Sequence, residues 1–167
     1  MLKYKQYNKL LKVFLMLIFT ILSVIFIVHT LRQIENQKNE NILQICKSIG
    51  VTLPKDVLSE LDANPSDTEK SQYLLIKKNL KDIVSLNKNA RFAYLYTQKD
   101  GKLYFVASSE PEYSKGYATP GQEYTEAPPE FKQPFHEGNA FVSNEVTDRW
   151  GTWITVLVPI VNKSSDR

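Results

Sequence analysis

The residues best equipped for chemistry lie in one short run, Asp148-Arg149-Trp150-Gly151-Thr152-Trp153. Two indole rings three positions apart offer apolar walls, and the neighbouring carboxylate and guanidinium offer opposite charges. That mixture suits a small polar ligand whose body stacks on rings while its charged ends find partners. The same run also fits a structural role, with Trp150 and Trp153 filling the core and Asp148 capping a turn. Catalysis has less to work with. The two histidines are His29 and His136, and no GxSxG, HExxH, P-loop or GxGxxG motif occurs. A metal held by His136 with Glu130 and Glu137 would depend on one loop histidine. Asp67, Glu69 and the other acids fall on polar helix faces and read as solvated surface. One cysteine, Cys46, leaves no intramolecular disulfide framework and no Cys-rich zinc site. It reads either as a small apolar helix residue or as a crosslink between two copies. No enzymatic activity, metal or cofactor is expected.

The elements that must position this run are strands. Ala140–Val146 and Thr152–Ile160 read as a hairpin joined around Asp148–Gly151. An earlier pair, Phe92–Tyr96 and Leu103–Ala107, flanks a turn with Asp100-Gly101 at its tip. Between the two pairs, residues 110–139 hold five of the eight prolines but also Tyr113, Tyr117, Tyr124, Phe131 and Phe135. Disordered linkers are poor in such rings, so a folded lid over one sheet face is expected. Ahead of the strands, Ser66 and Glu69 have capping-box spacing before a helix reaching about Leu86. Tyr73, Ile76, Leu80 and Ile83 give that helix one apolar face, suited to lying on a sheet. A short helix is expected over Lys55–Leu61. Two hairpins after a helix, with no βαβ alternation, predict an antiparallel α+β domain.

Val13–Leu31 reads as a membrane span. Its nineteen residues carry no fixed charge, and at 1.5 Å per residue they cover roughly 28 Å, close to the hydrocarbon thickness. Lys3, Lys5, Lys9 and Lys12 precede it without an acid, which places residues 1–12 in the cytoplasm and residues 32–167 outside the membrane. A cleaved signal peptide fits less well, because Val28-His29-Thr30-Leu31 lacks the small residues of a cleavage site. Arg32–Gly50 is expected to continue the helix. Its Ile42, Ile45 and Ile49 form either a dimer seam or a face packed on the chain's own domain. The chain has 167 residues, with 21 Lys and Arg against 18 Asp and Glu. Outside the first twelve residues the two signs nearly cancel, so a basic nucleic-acid-binding face is not expected. The length allows one domain and an appendage.

The order Arg91-Phe-Ala-Tyr-Leu-Tyr96, Asp100-Gly101, Pro120-Gly-Gln-Glu-Tyr124, Asp148-Arg-Trp-Gly-Thr-Trp153 and Val158-Pro-Ile160 resembles the Cache-type, PAS-like sensor domain. Such domains lie outside the membrane in bacterial histidine kinases, diguanylate cyclases and chemoreceptors. The resemblance covers about residues 32–160, with the D-x-W-G-x-W run its most specific part. It implies a five-stranded antiparallel sheet with a long helix on one side and a ligand pocket between sheet and lid. Carried over by position, the pocket wall comprises Tyr94, Tyr96, Ser108, Tyr113, Tyr124, Asp148, Arg149, Trp150 and Trp153. A small-molecule ligand, a membrane and a second copy of the chain are the implied partners. After Ile160 the family continues into a fifth strand, a second membrane helix and an output domain, so the resemblance implies the N-terminal portion of a receptor. The alternative expectation is an anchored extracytoplasmic interaction module that binds a protein and no small molecule.

Overall fold

The computed structural model describes residues 2–160, with side chains from residue 9 onward. Lys3 and Lys5, and the turn expected over residues 161–167, therefore lie outside the described side chains and residues. The chain is α+β, and it divides into two units, Met1–Asn41 and Ile42–Arg167. The first unit belongs to α1 (Leu2–Thr52), a single helix. Within it, Lys9–Thr52 is long and apolar enough to cross a membrane, with a mean hydropathy of 2.8 in its most apolar stretch. The few hydroxyls in that stretch are satisfied within the helix. Thr20, Ser23 and Thr30 each donate to the carbonyl four residues back, at 2.6, 2.8 and 2.9 Å, so none needs water.

The second unit begins on the last turns of α1. Leu43 and Gly50 are buried, Ile42, Cys46 and Ile49 are half-buried, and Ile45 is exposed. The own-domain alternative for this face thus describes Ile42 and Ile49, while Ile45 falls off the stripe. Burial pushes the Cys46 thiol pKa up, consistent with its reading as a small apolar side chain. Pro54 then starts the short α2 (Lys55–Leu58).

The next helix start differs from expectation. Asn64, not Ser66, is the cap: its side chain accepts from the Ser66 N–H, and Asp67 completes the reciprocal box of a 3-10 turn over Pro65–Glu69. α3 follows as Ser71–Leu86. Its Tyr73, Ile76 and Leu80 are buried as their spacing predicts.

β1 (Tyr94–Lys99) and β2 (Lys102–Ser108) form an antiparallel hairpin. Asp100 and Gly101 turn it with φ of 49° and 72°, the left-handed pair that a two-residue hairpin loop requires. Phe92 and Ala93, expected in β1, precede it. A bulge decides what this hairpin can do. The register steps from Leu95 opposite Ala107 to Tyr96 opposite Phe105, so Val106 is an extra residue in β2. Without it, Phe105 and Ala107 would share a face. With it, Ala107 joins Leu95, Tyr73, Ile76 and Leu80 against α3, while Phe105 turns to the opposite side with Leu103 and Tyr124.

β3 (Phe141–Asp148) and β4 (Gly151–Leu157) form the second hairpin. Val158–Ile160 lie beyond β4. Ser143 sits at an irregularity in this pair, and its hydroxyl accepts the Thr155 N–H at 2.9 Å. The two hairpins form separate two-stranded sheets, where a single PAS-like sheet was expected. The physical reason lies in the connection. Its Gly121–Tyr124 stretch occupies the free edge of β2 through Gly121 N–H to Phe105 O, Phe105 N–H to Gln122 O and Tyr124 N–H to Leu103 O, at 2.8, 3.0 and 2.9 Å. The remainder folds into a 3-10 turn (Pro129–Lys132) and α4 (Gln133–Glu137), with Ala118, Pro120 and Phe131 buried. The β3–β4 hairpin meets the first sheet by side chains: Leu157, Phe141, Val146 and Trp150 join the cluster around Phe105.

Candidate functional site

The bulged hairpin and the D-x-W-G-x-W turn bring seven of the nine candidate residues together, Tyr94, Tyr96, Tyr124, Trp150 and Trp153 in an aromatic layer with Asp148 and Arg149 beside it. Tyr94 and Tyr96 leave β1 on the same face, as alternation demands. Phe105 rises between them from β2, with ring centroids 5.2 and 5.0 Å away. Tyr124 descends from the connection and stacks on Tyr96 at 5.9 Å, and Trp150 closes the group 5.7 Å from Phe105. Trp153 meets the edge of Phe92 at 4.9 Å. Phe105 and Phe92 are the residues that the sequence reading omitted. Phe105 carries no signal in the sequence, because the Val106 bulge that turns it to this side shows only in the pairing with β1; for Phe92 the signal is the ring density before β1.

Asp148 is the centre of the polar contacts. Its Oδ2 accepts from the Tyr124 hydroxyl at 2.6 Å, and its Oδ1 accepts from the Trp150 N–H at 2.9 Å and the Trp153 indole at 3.3 Å. One carboxylate therefore caps the two-residue turn and ties it to the connecting loop. Gly151 makes the indole contact possible. At φ 141° it occupies backbone space that other residues avoid, and a Cβ there would stand 2.7 Å from the Trp153 ring. The same turn clasps the loop at two further points. The Trp150 indole donates to Lys115 O at 2.8 Å. Arg149 pairs with Glu126 through two N–H groups, its Nε at 2.6 Å, and reaches Thr125 as well. The Arg149 hydrogen bonds hold the Glu126 carboxyl near pKa 2.

The three tyrosines are held neutral. Burial, first, raises the pKa values of Tyr94, Tyr96 and Tyr124, and the Asp148 carboxylate adds to each shift. Tyr94 donates to Gly116 O at 3.0 Å. Tyr96 is the phenol of the three whose hydroxyl makes no hydrogen bond among the described residues.

Two candidates are placed differently. Ser108 is fully buried beside Tyr94 and spends its hydroxyl oxygen on the Glu110 N–H at 3.2 Å. Tyr113 is 93% exposed and lies outside the aromatic layer. A loop ring next to Pro111 has no strand or helix period to fix its direction. Asp67, read from sequence as surface, is fully buried. Among the described residues no group of three His, Cys, Asp or Glu side chains could hold a metal. No family model, curated protein or solved structure matches the chain.

Replacing Asp148 with alanine leaves two side-chain donors and one backbone donor unpaired. Its expected cost is about 2–3 kcal/mol, with a red shift of tryptophan emission as the clasp loosens. Tyr124→Phe removes one of those bonds and is expected to cost about 1 kcal/mol. Chemical denaturation followed by tryptophan fluorescence checks both.

Proposed function

We propose that this chain is the membrane anchor and extracytoplasmic sensor region of a bacterial signalling receptor, with a Cache-type, PAS-like relationship and no catalytic role of its own. The observation that carries the reading is the convergence of Tyr94, Tyr96, Tyr124, Asp148, Trp150 and Trp153 beneath a loop held by side-chain clasps. A small polar molecule would stack on this layer, take the unpaired Tyr96 hydroxyl, and compete with Tyr124 and the indoles for Asp148. The lysines ahead of the apolar stretch favour a cytoplasmic N-terminus. One packing contact supports a route for the signal. Val158 and Ile160, just past β4, lie against Gly50 of α1, where an added Cβ would come 3.2 Å from Val158 Cγ1. A displaced β3–β4 hairpin would therefore press on α1, and through it on the paired helix of a second copy.

The chain's only two tryptophans both lie in the Asp148–Trp153 run, Trp150 in the turn and Trp153 in β4, so they report on the site directly. The full chain in phosphatidylcholine nanodiscs is titrated with amino acids, organic acids, amines and nucleobases. A saturable change in tryptophan emission with a matching rise in melting temperature is the expected result, and both should vanish in Asp148→Ala. A folded protein that responds to none of these classes would exclude the small-molecule reading.

That outcome would favour an anchored protein-interaction module. The observation on its side is that Asp148 and Arg149 already have partners within the chain and that the rings pack against one another.

A further inference from the structure

On the α3 side of the domain, away from the aromatic layer, Lys77 is a cation without an adequate partner. Its side chain is nine-tenths buried, yet the ammonium has three hydrogens to place. Among the described residues its single ion-pair contact is Glu112 Oε1 at 3.5 Å, and that carboxylate is 70% exposed. Its ammonium also faces the rings of Tyr117 and Tyr73, with centroids 4.6 and 5.5 Å from Nζ. Rings stabilise a cation but accept no strong hydrogen bond. A buried ammonium in this position gains from any close oxyanion.

The surrounding shape can admit one. Lys77 lines a groove of about 490 Å³ between α3 and Pro111–Tyr113, together with Lys78, Lys81 and Leu74. Lys78 is paired with Asp82 at 3.1 Å, whereas Lys81 has no ion-pair partner among the described residues. Tyr113, exposed and assigned by resemblance to the other site, forms one wall here.

We propose that this groove is a binding site for a small molecule bearing a carboxylate or phosphate group. Its oxyanion takes Lys77 in place of Glu112, its second contact is Lys81, and its apolar part lies along Tyr113 and Leu74. Glu112 acts as a weak internal stand-in that the ligand displaces. The site rests on α3 and its own loop, so its test is independent of the aromatic layer.

The experiment uses the full chain in phosphatidylcholine nanodiscs, titrated separately with benzoate and with inorganic phosphate at ionic strength held constant by chloride. Backbone amide NMR shifts over residues 74–82 and 111–113 are the readout. Saturable shifts confined to these segments are expected with at least one probe. Lys77→Met keeps the packing volume and is expected to weaken that probe's binding at least about tenfold, the equivalent of roughly 1.4 kcal/mol. Glu112→Gln removes the competing carboxylate from an exposed position, so it folds whatever Lys77→Met does, and it should tighten binding severalfold. Shifts that chloride alone reproduces, or that never saturate, would overturn the proposal. So would unchanged affinity in a folded Lys77→Met, or unchanged or weaker affinity in Glu112→Gln. Shifts on exchanging the lipid for phosphatidylglycerol, with no anion added, would mean a lipid headgroup is the oxyanion and would overturn the assignment to a soluble ligand.

Discussion

Phe105→Ala is expected to lower the unfolding free energy of the extramembrane domain by about 4 kcal/mol. Phe105 is fully buried, and its ring is flanked by Tyr94, Tyr96, Tyr124 and Trp150 with centroids 5.0–5.7 Å away. Removing it deletes the ring on which both hairpins and the loop converge, and four large planar neighbours cannot collapse into the gap without breaking the Tyr124–Asp148 and Trp150–Lys115 hydrogen bonds. The cost therefore combines lost burial with a cavity that persists. Denaturant unfolding of the full chain, followed by tryptophan emission, measures it. Phe105→Leu, which keeps most of the volume, should lose no more than about 1.5 kcal/mol. A loss below about 1 kcal/mol for the alanine variant would mean that the layer is not the core of this domain. Because Phe105 reaches the layer only through the Val106 bulge, deleting Val106 should be as damaging, although no ring is removed.

That bulge also marks the limit of what the sequence makes legible. Asp100-Gly101 and the Tyr73–Ile76–Leu80 stripe are local signals, governed by backbone sterics and helical period, and both appear where expected. The Asp148–Trp153 run was equally visible, because rings and charges that close together in sequence must be close in space. A bulge leaves no such trace: Leu103-Tyr-Phe-Val-Ala107 reads as plain alternation until its partner strand is known. Gly121–Tyr124 was hidden for a related reason, since it pairs with β2 through backbone groups that carry no sequence code. In the loop before α3, by contrast, the sequence holds the signal. Both Asn64–Asp67 and Ser66–Glu69 have capping spacing, but only the first places a proline, Pro65, at the first helical position, where its missing N–H costs nothing. Pro65 thus marks Asn64 as the cap, and that placement turns Asp67 inward.

Asp67→Ala is expected to cost about 3 kcal/mol, because the buried carboxylate holds a strained turn as well as an ion pair. Its Oδ2 accepts the N–H groups of Asp62 and Asn64, at 2.9 and 3.2 Å. Those residues flank Ala63, whose φ of 51° is left-handed and unfavourable for alanine by about 1–2 kcal/mol. Oδ1 stands 2.7 Å from the Lys70 ammonium. Lys70 is one-third exposed and also reaches Glu60 O and Asp62, so its loss of Asp67 is cushioned, which keeps the estimate at the low end for a broken buried pair. Burial raises the Asp67 pKa, but Lys70 and the two N–H groups together outweigh it and leave the value below the ordinary 3.8. A depressed folded-state pKa contributes stability that is complete above the unfolded value and is lost as pH falls through the folded one. The gap between wild type and Asp67→Ala should accordingly be constant near neutrality and shrink below about pH 3.8. Ala63→Gly tests the strain separately. Glycine tolerates the left-handed backbone, so adding it to Asp67→Ala should recover about 1 kcal/mol. If it recovers nothing, the carboxylate acts only through Lys70. The effect should extend to the connecting loop, because a Cβ on Gly121 would lie 2.9 Å from Ala63 O: the turn that Asp67 organises is the surface on which the β2-edge segment closes.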